Sequence, residues 1–498
     1  MQSLDTNRWL RYAILLAILA VPFVYYDYFS LLCAPPVGTH IWRQTDSAAF
    51  AWCYWKNGLD FFHPQILNRT FGDGYAVSEF PILQYIIAIA YSLFGFHWWI
   101  SKTVYAFVYL LGLIAIFRIT RYYVQDWFWA YFMAVLFFTA PALVFYGNSC
   151  IPDVPALSFS LIGYACFIDF TEKDKSEYLW GSMFFFCLAG LMKLTYLLLF
   201  LAMLCVLIAE GIKKKEASGI KKLAWPFICV FAVNAAWLVW SDHYNAQNQY
   251  MYFLNKINPV WNESAEKAYI FKRTMTEWAL RFFAAPTHYS WLISLVILPL
   301  AWQKGNKSLS LLVLFLLLGS IAYYLLWYLQ FLVHDYYTIL FYAVYLFALL
   351  GLLALLQQIS PVLLESKVFK ILALALLVLN GLHVKKDLAV RYREADLYPA
   401  DQYLLDKGLV PFMRSIGIKE SDYVAVTTDG SPQIMLCALQ NPGFTEFMIG
   451  KFDAEKLRAV KEKGAKYLLI IDAETYKVWM KDIGKPIGSY KQATVYEI

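Results

Sequence analysis

Apolar runs recur along most of this chain at a length set by a lipid bilayer, because a hydrocarbon core of about 30 Å takes roughly 20 residues of helix. Candidate runs begin near Trp9, Phe80, Trp98, Trp127, Asp153, Tyr178, Thr195, Leu223, His288, Leu309, Tyr336 and Val368. Lipid offers no partner to a backbone N–H or C=O, so segments of this kind must be helices. The composition agrees: 60% of the 498 residues are apolar and 16% charged, against roughly 45–50% and about 25% in soluble domains. That excludes a soluble enzyme. The net charge of +6 is scattered between the apolar runs, which suits membrane loops and excludes a nucleic-acid surface.

Loop charge assigns the sides. Arg118 and Arg121, the run from Lys213 to Lys222, Lys304 with Lys307, and the stretch from Gln357 to Lys370 are expected in the cytoplasm together with Arg8 and Arg11. All of them fall on one side only if the run from Phe80 to Gly95 does not cross. That run is short and contains Pro81 and Gln84, so it is expected to be an interfacial or re-entrant helix. The expected fold is therefore a polytopic α-helical membrane protein of about eleven transmembrane helices over residues 1–387. Its N-terminus is cytoplasmic, and the first apolar run, lacking a small-residue cleavage site, is a retained span. The first outer loop, residues 27–97, carries juxtamembrane helices. Residues 388–498 regain charge and alternate strand-like with helix-like stretches: Tyr423–Thr427, Ala454–Lys463, Tyr467–Ile471 and Ala493–Tyr496. This tail is expected to be a small extracytoplasmic α/β domain. It contains no glycine-rich phosphate loop, and Asp429-Gly-Ser-Pro432 reads as a turn. The eight cysteines show no CxxC spacing, which supports neither a disulfide framework nor a metal knuckle.

Polar groups that chemistry would need collect on the outer side. In the segment Thr39–Trp55, a helical wheel places His40, Arg43, Gln44, Asp46 and Ser47 on one arc, opposite Ile41, Trp42, Trp52 and Trp55. This reads as a helix lying on the membrane, its polar face either merely solvated or part of a site. Asp153 follows Pro152 at the outer end of a span, where it is either a second site carboxylate or a helix cap. Lys193 interrupts an apolar stretch and is either a phosphate-binding cation or a snorkelling lysine. His334, Asp335, Tyr336 and Tyr337 pack an imidazole, a carboxylate and two phenols into one outer turn. His63 before Pro64 and Glu79 before Pro81 are weaker candidates of the same kind.

These residues, His40-x-Trp-Arg-Gln-x-Asp46, Pro152-Asp153, Gly190-Leu-Met-Lys193 and His334-Asp-Tyr-Tyr337, make the chain resemble bacterial glycosyltransferases of the GT-C superfamily. The likeness is to family 39, which groups protein O-mannosyltransferases with lipid A aminoarabinose transferases. It covers about Arg8 to Leu350. It implies transfer of a monosaccharide from a polyprenyl-phosphate carrier to a lipid, glycan or protein acceptor at the outer face of a bacterial inner membrane, with inversion. By resemblance Asp46 is the general base and Asp153 supports it. Arg43 and Lys193 then neutralise the donor phosphate, and His334, Asp335, Tyr336 and Tyr337 line the donor pocket. His40, Gln44, His63 and Glu79 serve the acceptor or support the site. Ser47 follows Asp46 where relatives often have glutamate, and Glu79 stands near the place of a lysine in the aminoarabinose transferases, which leaves donor and acceptor open. Paired aspartates can hold Mg²⁺ or Mn²⁺, but two carboxylates are a thin shell for an octahedral ion, so a metal also stays open. A polymerase or ligase moving a lipid-linked oligosaccharide would use a similar face. A transporter fits less well, because no internal repeat is seen and the polar groups sit at one boundary rather than at mid-membrane.

Overall fold

The computed structural model describes residues 5–214, 217–250, 252–253, 257–263, 266–393, 400–471 and 484–498. Among them, seven helices are long and apolar enough to cross a membrane: Trp98–Val124, Asp153–Lys173, Leu194–Lys213, Leu223–Gln247, Lys307–Leu326, Asp335–Ile359 and Lys367–Arg393. The other four expected crossings are shorter or broken. Trp9–Tyr25 is the apolar part of one helix, and Ser176–Met192 forms another. Two are split by proline: Trp127–Phe137 stops before a second piece, Pro141–Tyr146, and Ala285–Val296 before Leu298–Lys304. In both cases proline occupies the first turn of the second piece, where its missing N–H is harmless, whereas inside a continuous helix it would break a bond. The run after Phe80 forms the 13-residue helix Ile82–Phe94, about 20 Å long and thus too short to span.

The basic loops gather at one end of the bundle. Lys370 reaches Asp126 at 3.7 Å, and the guanidinium groups of Arg11 and Arg121 lie 4.6 and 4.5 Å from the Trp127 ring centre. Ser308 hydrogen-bonds Glu210, joining two more loops expected on that side. Residues 215 and 216 of the Lys213–Lys222 run lie outside the described residues.

The tail forms a five-stranded sheet. Its strands are β1 (Tyr423–Thr427), β2 (Gly443–Phe444), β3 (Ala465–Ile470), β4 (Lys485–Tyr490) and β5 (Ala493–Glu497), in spatial order β2-β1-β3-β5-β4. β1 runs parallel to β2 and β3, and β5 runs antiparallel to β3 and β4. The expected strands and the Ala454–Glu462 helix are present, as is the turn, where Asp429 accepts bonds from the Ser431 and Met435 amides. The last long helix continues past residue 388 to Arg393 before the tail begins.

One expectation is corrected. The first outer segment does form a helix, Ile41–Lys56, but it does not lie on the membrane with a solvated polar face, since twelve of its 16 residues are buried. The tail covers it. Ile41, Phe50, Trp52 and Cys53 share one core with Val424, Met435, Leu436 and Leu439, and the Cys437 thiol reaches Thr45 O at 3.6 Å. The same loop extends the sheet at its β2 edge: Arg69 N donates to Gly443 O at 2.7 Å and Gly443 N to Leu67 O at 3.0 Å. The helix is therefore sandwiched, its polar side against the bundle and its apolar side against the tail.

Candidate functional site

At the end of the bundle away from the basic loops, the long loop of residues 27–97, expected on the outer side, closes over a cleft of ≈ 410 Å³. Seven of the residues singled out from sequence stand on its wall: Arg43, Glu79, Asp153, Lys193, His334, Tyr336 and Tyr337. They come from five segments, and their charges are arranged in two cation–carboxylate pairs.

In the first pair, Arg43 Nη2 lies 2.5 Å from Glu79 Oε2. Glu79 also accepts from Ser78 Oγ at 2.5 Å and Gln84 Nε2 at 2.9 Å. Burial pushes the Glu79 carboxyl up, but Arg43, Ser78 and a backbone amide outweigh it and hold the group below the usual carboxylate range. Glu79 is thus a fixed anion, while Arg43 Nη1 has no hydrogen-bond partner among the described residues. In the second pair, Lys193 Nζ donates to Asp153 Oδ1 at 2.7 Å and also stands 3.6 Å from the Tyr337 ring centre. The Tyr196 hydroxyl donates to the same Asp153 oxygen at 2.9 Å, leaving Oδ2 unpartnered among the described residues. Asp153 is the first residue of its helix and makes no capping bond, so the capping alternative is not realised. Lys193 breaks the helix at Met192 with extended backbone, which turns its ammonium inward rather than along the surface.

Asp46 follows Arg43 by one helical turn and is fully buried, yet neither carboxylate oxygen has a hydrogen-bond partner among the described residues. Burial pushes its carboxyl up to about 8 against the pull of Arg43, with Glu79 pushing further the same way and the Tyr252 hydroxyl favouring the anion. Asp46 does not line the cleft; Tyr252, which does, is its neighbour on that side. His334, on the wall, is kept neutral: burial, then the charges of His40 and Lys193, push the imidazole down to about 3.

The remaining expected residues lie elsewhere. Asp335 does not line the cleft. It faces away from the cleft, where Arg391 Nη1 binds it at 2.6 Å and His40 Nε2 at 3.2 Å. Gln44 donates to Val37 O and Thr39 O, both at 3.1 Å, closing the turn before its helix. His63 is exposed and pairs with Asp60 at 2.8 Å, because the Asp60–Pro64 turn carries it to the surface. Sequence reasoning missed Tyr252, Asn234, Trp237 and Gln330, which also line the wall, and Arg391; of these only Asn234, a polar residue inside an apolar run, left a visible signal. Among the described residues no three His, Cys, Asp or Glu side chains come together as a cation shell.

Fold and site together define a multi-pass helical membrane protein whose first long loop, covered by the C-terminal sheet domain, closes over a cleft carrying two cation–carboxylate pairs. Residues 78–240 match the family described as dolichyl-phosphate-mannose-protein mannosyltransferase. The chain as a whole is similar to ArnT from Cupriavidus metallidurans in the apo state, with a TM-score of 0.62 at 14% identity over 99% of this chain and 98% of that one. It matches the same protein bound to undecaprenyl phosphate with a TM-score of 0.62 at 13% identity over 97% of each chain. The archaeal oligosaccharyltransferase AglB from Archaeoglobus fulgidus, in complex with an inhibitory peptide and a dolichol-phosphate, gives 0.52 at 13% identity over 94% of this chain and 70% of that one. No curated protein matches the chain by sequence.

Proposed function

We propose that the chain transfers a single sugar from a polyprenyl-phosphate carrier to a lipid, glycan or protein acceptor at the extracytoplasmic face of a bacterial inner membrane. The observation that carries the reading is the cleft itself, where Arg43 and Lys193 converge beside Asp153 with Asp46 one turn behind. A phosphate leaving group needs cations and no strong acid; charge-assisted hydrogen bonds stabilise it as negative charge develops. Arg43 Nη1, unpartnered among the described residues, and Lys193 supply those bonds, and the two phenols of Tyr336 and Tyr337 give the sugar a face to rest on. The carriers seen in the similar structures, undecaprenyl phosphate in ArnT and dolichol-phosphate in AglB, support this donor class. The acceptor oxygen attacks the anomeric carbon opposite the phosphate, the C–O bond to phosphate breaks with its electron pair, and the configuration inverts. Asp46 takes the acceptor's proton, as a carboxylate with a pKa near the working pH is suited to do. Because Asp46 does not itself line the cleft while its neighbour Tyr252 does, the reading requires that this ring yield to the acceptor.

A cleft of ≈ 410 Å³ lies at the small end of ligand sites, roughly 300–1,000 Å³, which favours one sugar over a preassembled oligosaccharide. Mass spectrometry of polyprenyl-phosphate lipids and envelope glycans decides the matter, comparing deletion cells with cells complemented by Asp46→Asn. The expected result is a carrier-linked monosaccharide that accumulates in both while one glycan, lipid or protein loses one sugar. Accumulation of longer lipid-linked oligosaccharides would replace this reading with a polymerase or ligase, and unchanged lipids would remove Asp46 from the chemistry.

A further inference from the structure

The helix Ile41–Lys56 carries both Arg43 and Asp46, so whatever fixes its depth and rotation fixes both charges. Its own start does not do so. His40 precedes it with left-handed backbone, φ 58°, and makes no capping bond. His40 is held instead by residues far away in sequence. Its Nε2 lies 3.2 Å from Asp335 Oδ1, and its ring meets Tyr336 edge-on at 5.0 Å between centres. Asp335 is gripped in turn by Arg391 Nη1 at 2.6 Å and by the Tyr146 hydroxyl, while Arg391 Nε binds Asp387 at 2.5 Å. The backbone repeats the attachment: Thr39 N donates to Arg391 O at 3.0 Å. Gly38, at φ +80°, passes so close that a Cβ there would come within 2.6 Å of Arg391 O.

The Arg391 and Asp335 side chains are 1% and 8% exposed. A buried ionic network of this kind is weak support for stability, since apolar residues of the same volume serve as well or better. Nor does it touch the ligand space, for His40, Asp335, Asp387 and Arg391 are all absent from the cleft wall. What it does is join three elements, the first outer loop, the helix that begins at Asp335 and the end of the last long helix, at the residue that starts the helix bearing Arg43. We propose, resting on the reading of the cleft given above, that Asp335 and Arg391 are positioning residues. Through His40 they set the register of Arg43 and Asp46, and so the affinity of the cleft for a polyprenyl phosphate.

The test uses the full-length protein in detergent with undecaprenyl phosphate as the probe, its binding followed by native mass spectrometry. His40→Asn is the informative variant: asparagine tolerates left-handed backbone, is too short to reach Asp335, and leaves that carboxylate paired with Arg391. Binding is expected to weaken about tenfold, the order of effect that loss of a charged hydrogen bond or a small misplacement produces. The melting temperature should be nearly unchanged, and hydrogen exchange should quicken at residues 41–47 but not at 342–359. Arg391→Lys, which cannot hold both carboxylates in one plane, should weaken binding in the same direction; if it fails to fold, His40→Asn still decides. The proposal is overturned if His40→Asn binds as the unaltered protein does while Arg43→Ala and Lys193→Ala lose affinity. If those two also bind normally, the reading of the cleft falls and the positioning role with it.

Discussion

Asp46 and Glu79 flank the same guanidinium, yet their surroundings push them in opposite directions. Glu79 is saturated with donors and stays charged, whereas at Asp46 burial outweighs Arg43 and the Tyr252 hydroxyl and pushes the carboxyl up to about 8. A base works in its deprotonated form. The rate at limiting donor is therefore expected to rise with pH through a limb near 8, the value for Asp46, and to level off above it. Asp46→Asn should abolish that limb and lower kcat/KM by about 10² to 10⁴. A flat profile in the unaltered protein from pH 6 to 10 would contradict the assignment. Glu79→Gln leaves the partly exposed Arg43 guanidinium at the cleft without its nearest carboxylate, and a lower melting temperature should report the loss of that pair. Sequence reading found these groups because each is an interruption: Asp46 amid alanines and aromatics, Glu79 before a proline, Lys193 in an apolar stretch. Tyr252 and Arg391 escaped because a tyrosine in a polar loop and an arginine at a helix end break no pattern.

Periodicity revealed the elements better than their surroundings. The wheel of Thr39–Trp55 correctly separated a polar from an apolar face, but amphipathicity states only that the two faces meet different environments. Here the polar face meets a buried charge cluster and the apolar face a second domain, so the expected membrane surface was the wrong partner. The broken crossings were marked in the chain by Pro141 and Pro299, yet hydropathy averages over a break of a few residues and counted each pair of pieces as one span. In the tail, strand signals held because the alternation of burial is local, as in Ala493–Glu497. Gly443 shows what alternation does not reveal. It stands where the first outer loop joins the sheet, and a Cβ there would come within 1.9 Å of Val424 O. Gly443→Ala must push β2 away from β1 and disturb the loop's two hydrogen bonds. Overpacking of this sort costs about 1–3 kcal/mol, and it should appear as faster proteolysis of the tail than of the bundle.

At the scale of the molecule, the tail is half of the clamp on the site. The first outer loop is gripped from both sides, by Arg391 and Asp335 of the bundle and by the tail sheet. Asn68 alone donates to Pro432 O at 3.1 Å and Thr445 Oγ1 at 2.8 Å. Removing residues 394–498 would strip the cover from Ile41, Phe50 and Trp52, all buried in the core shared with the tail, and expose an apolar patch of the kind that drives association. A chain ending at Arg393 is therefore expected to elute as aggregates rather than as a single species in detergent, and to lose undecaprenyl phosphate binding. Asn68→Ala is the milder form of the same cut. It removes two side-chain bonds to the tail while leaving the cleft wall untouched, and each buried bond to a neutral partner contributes about 1 kcal/mol. It should lower the melting temperature by a few degrees and weaken carrier binding only slightly. A truncated chain that stayed monodisperse and bound the carrier as the whole protein does would show the tail to be an appendage, and the register of the Arg43 helix would then rest on the bundle alone.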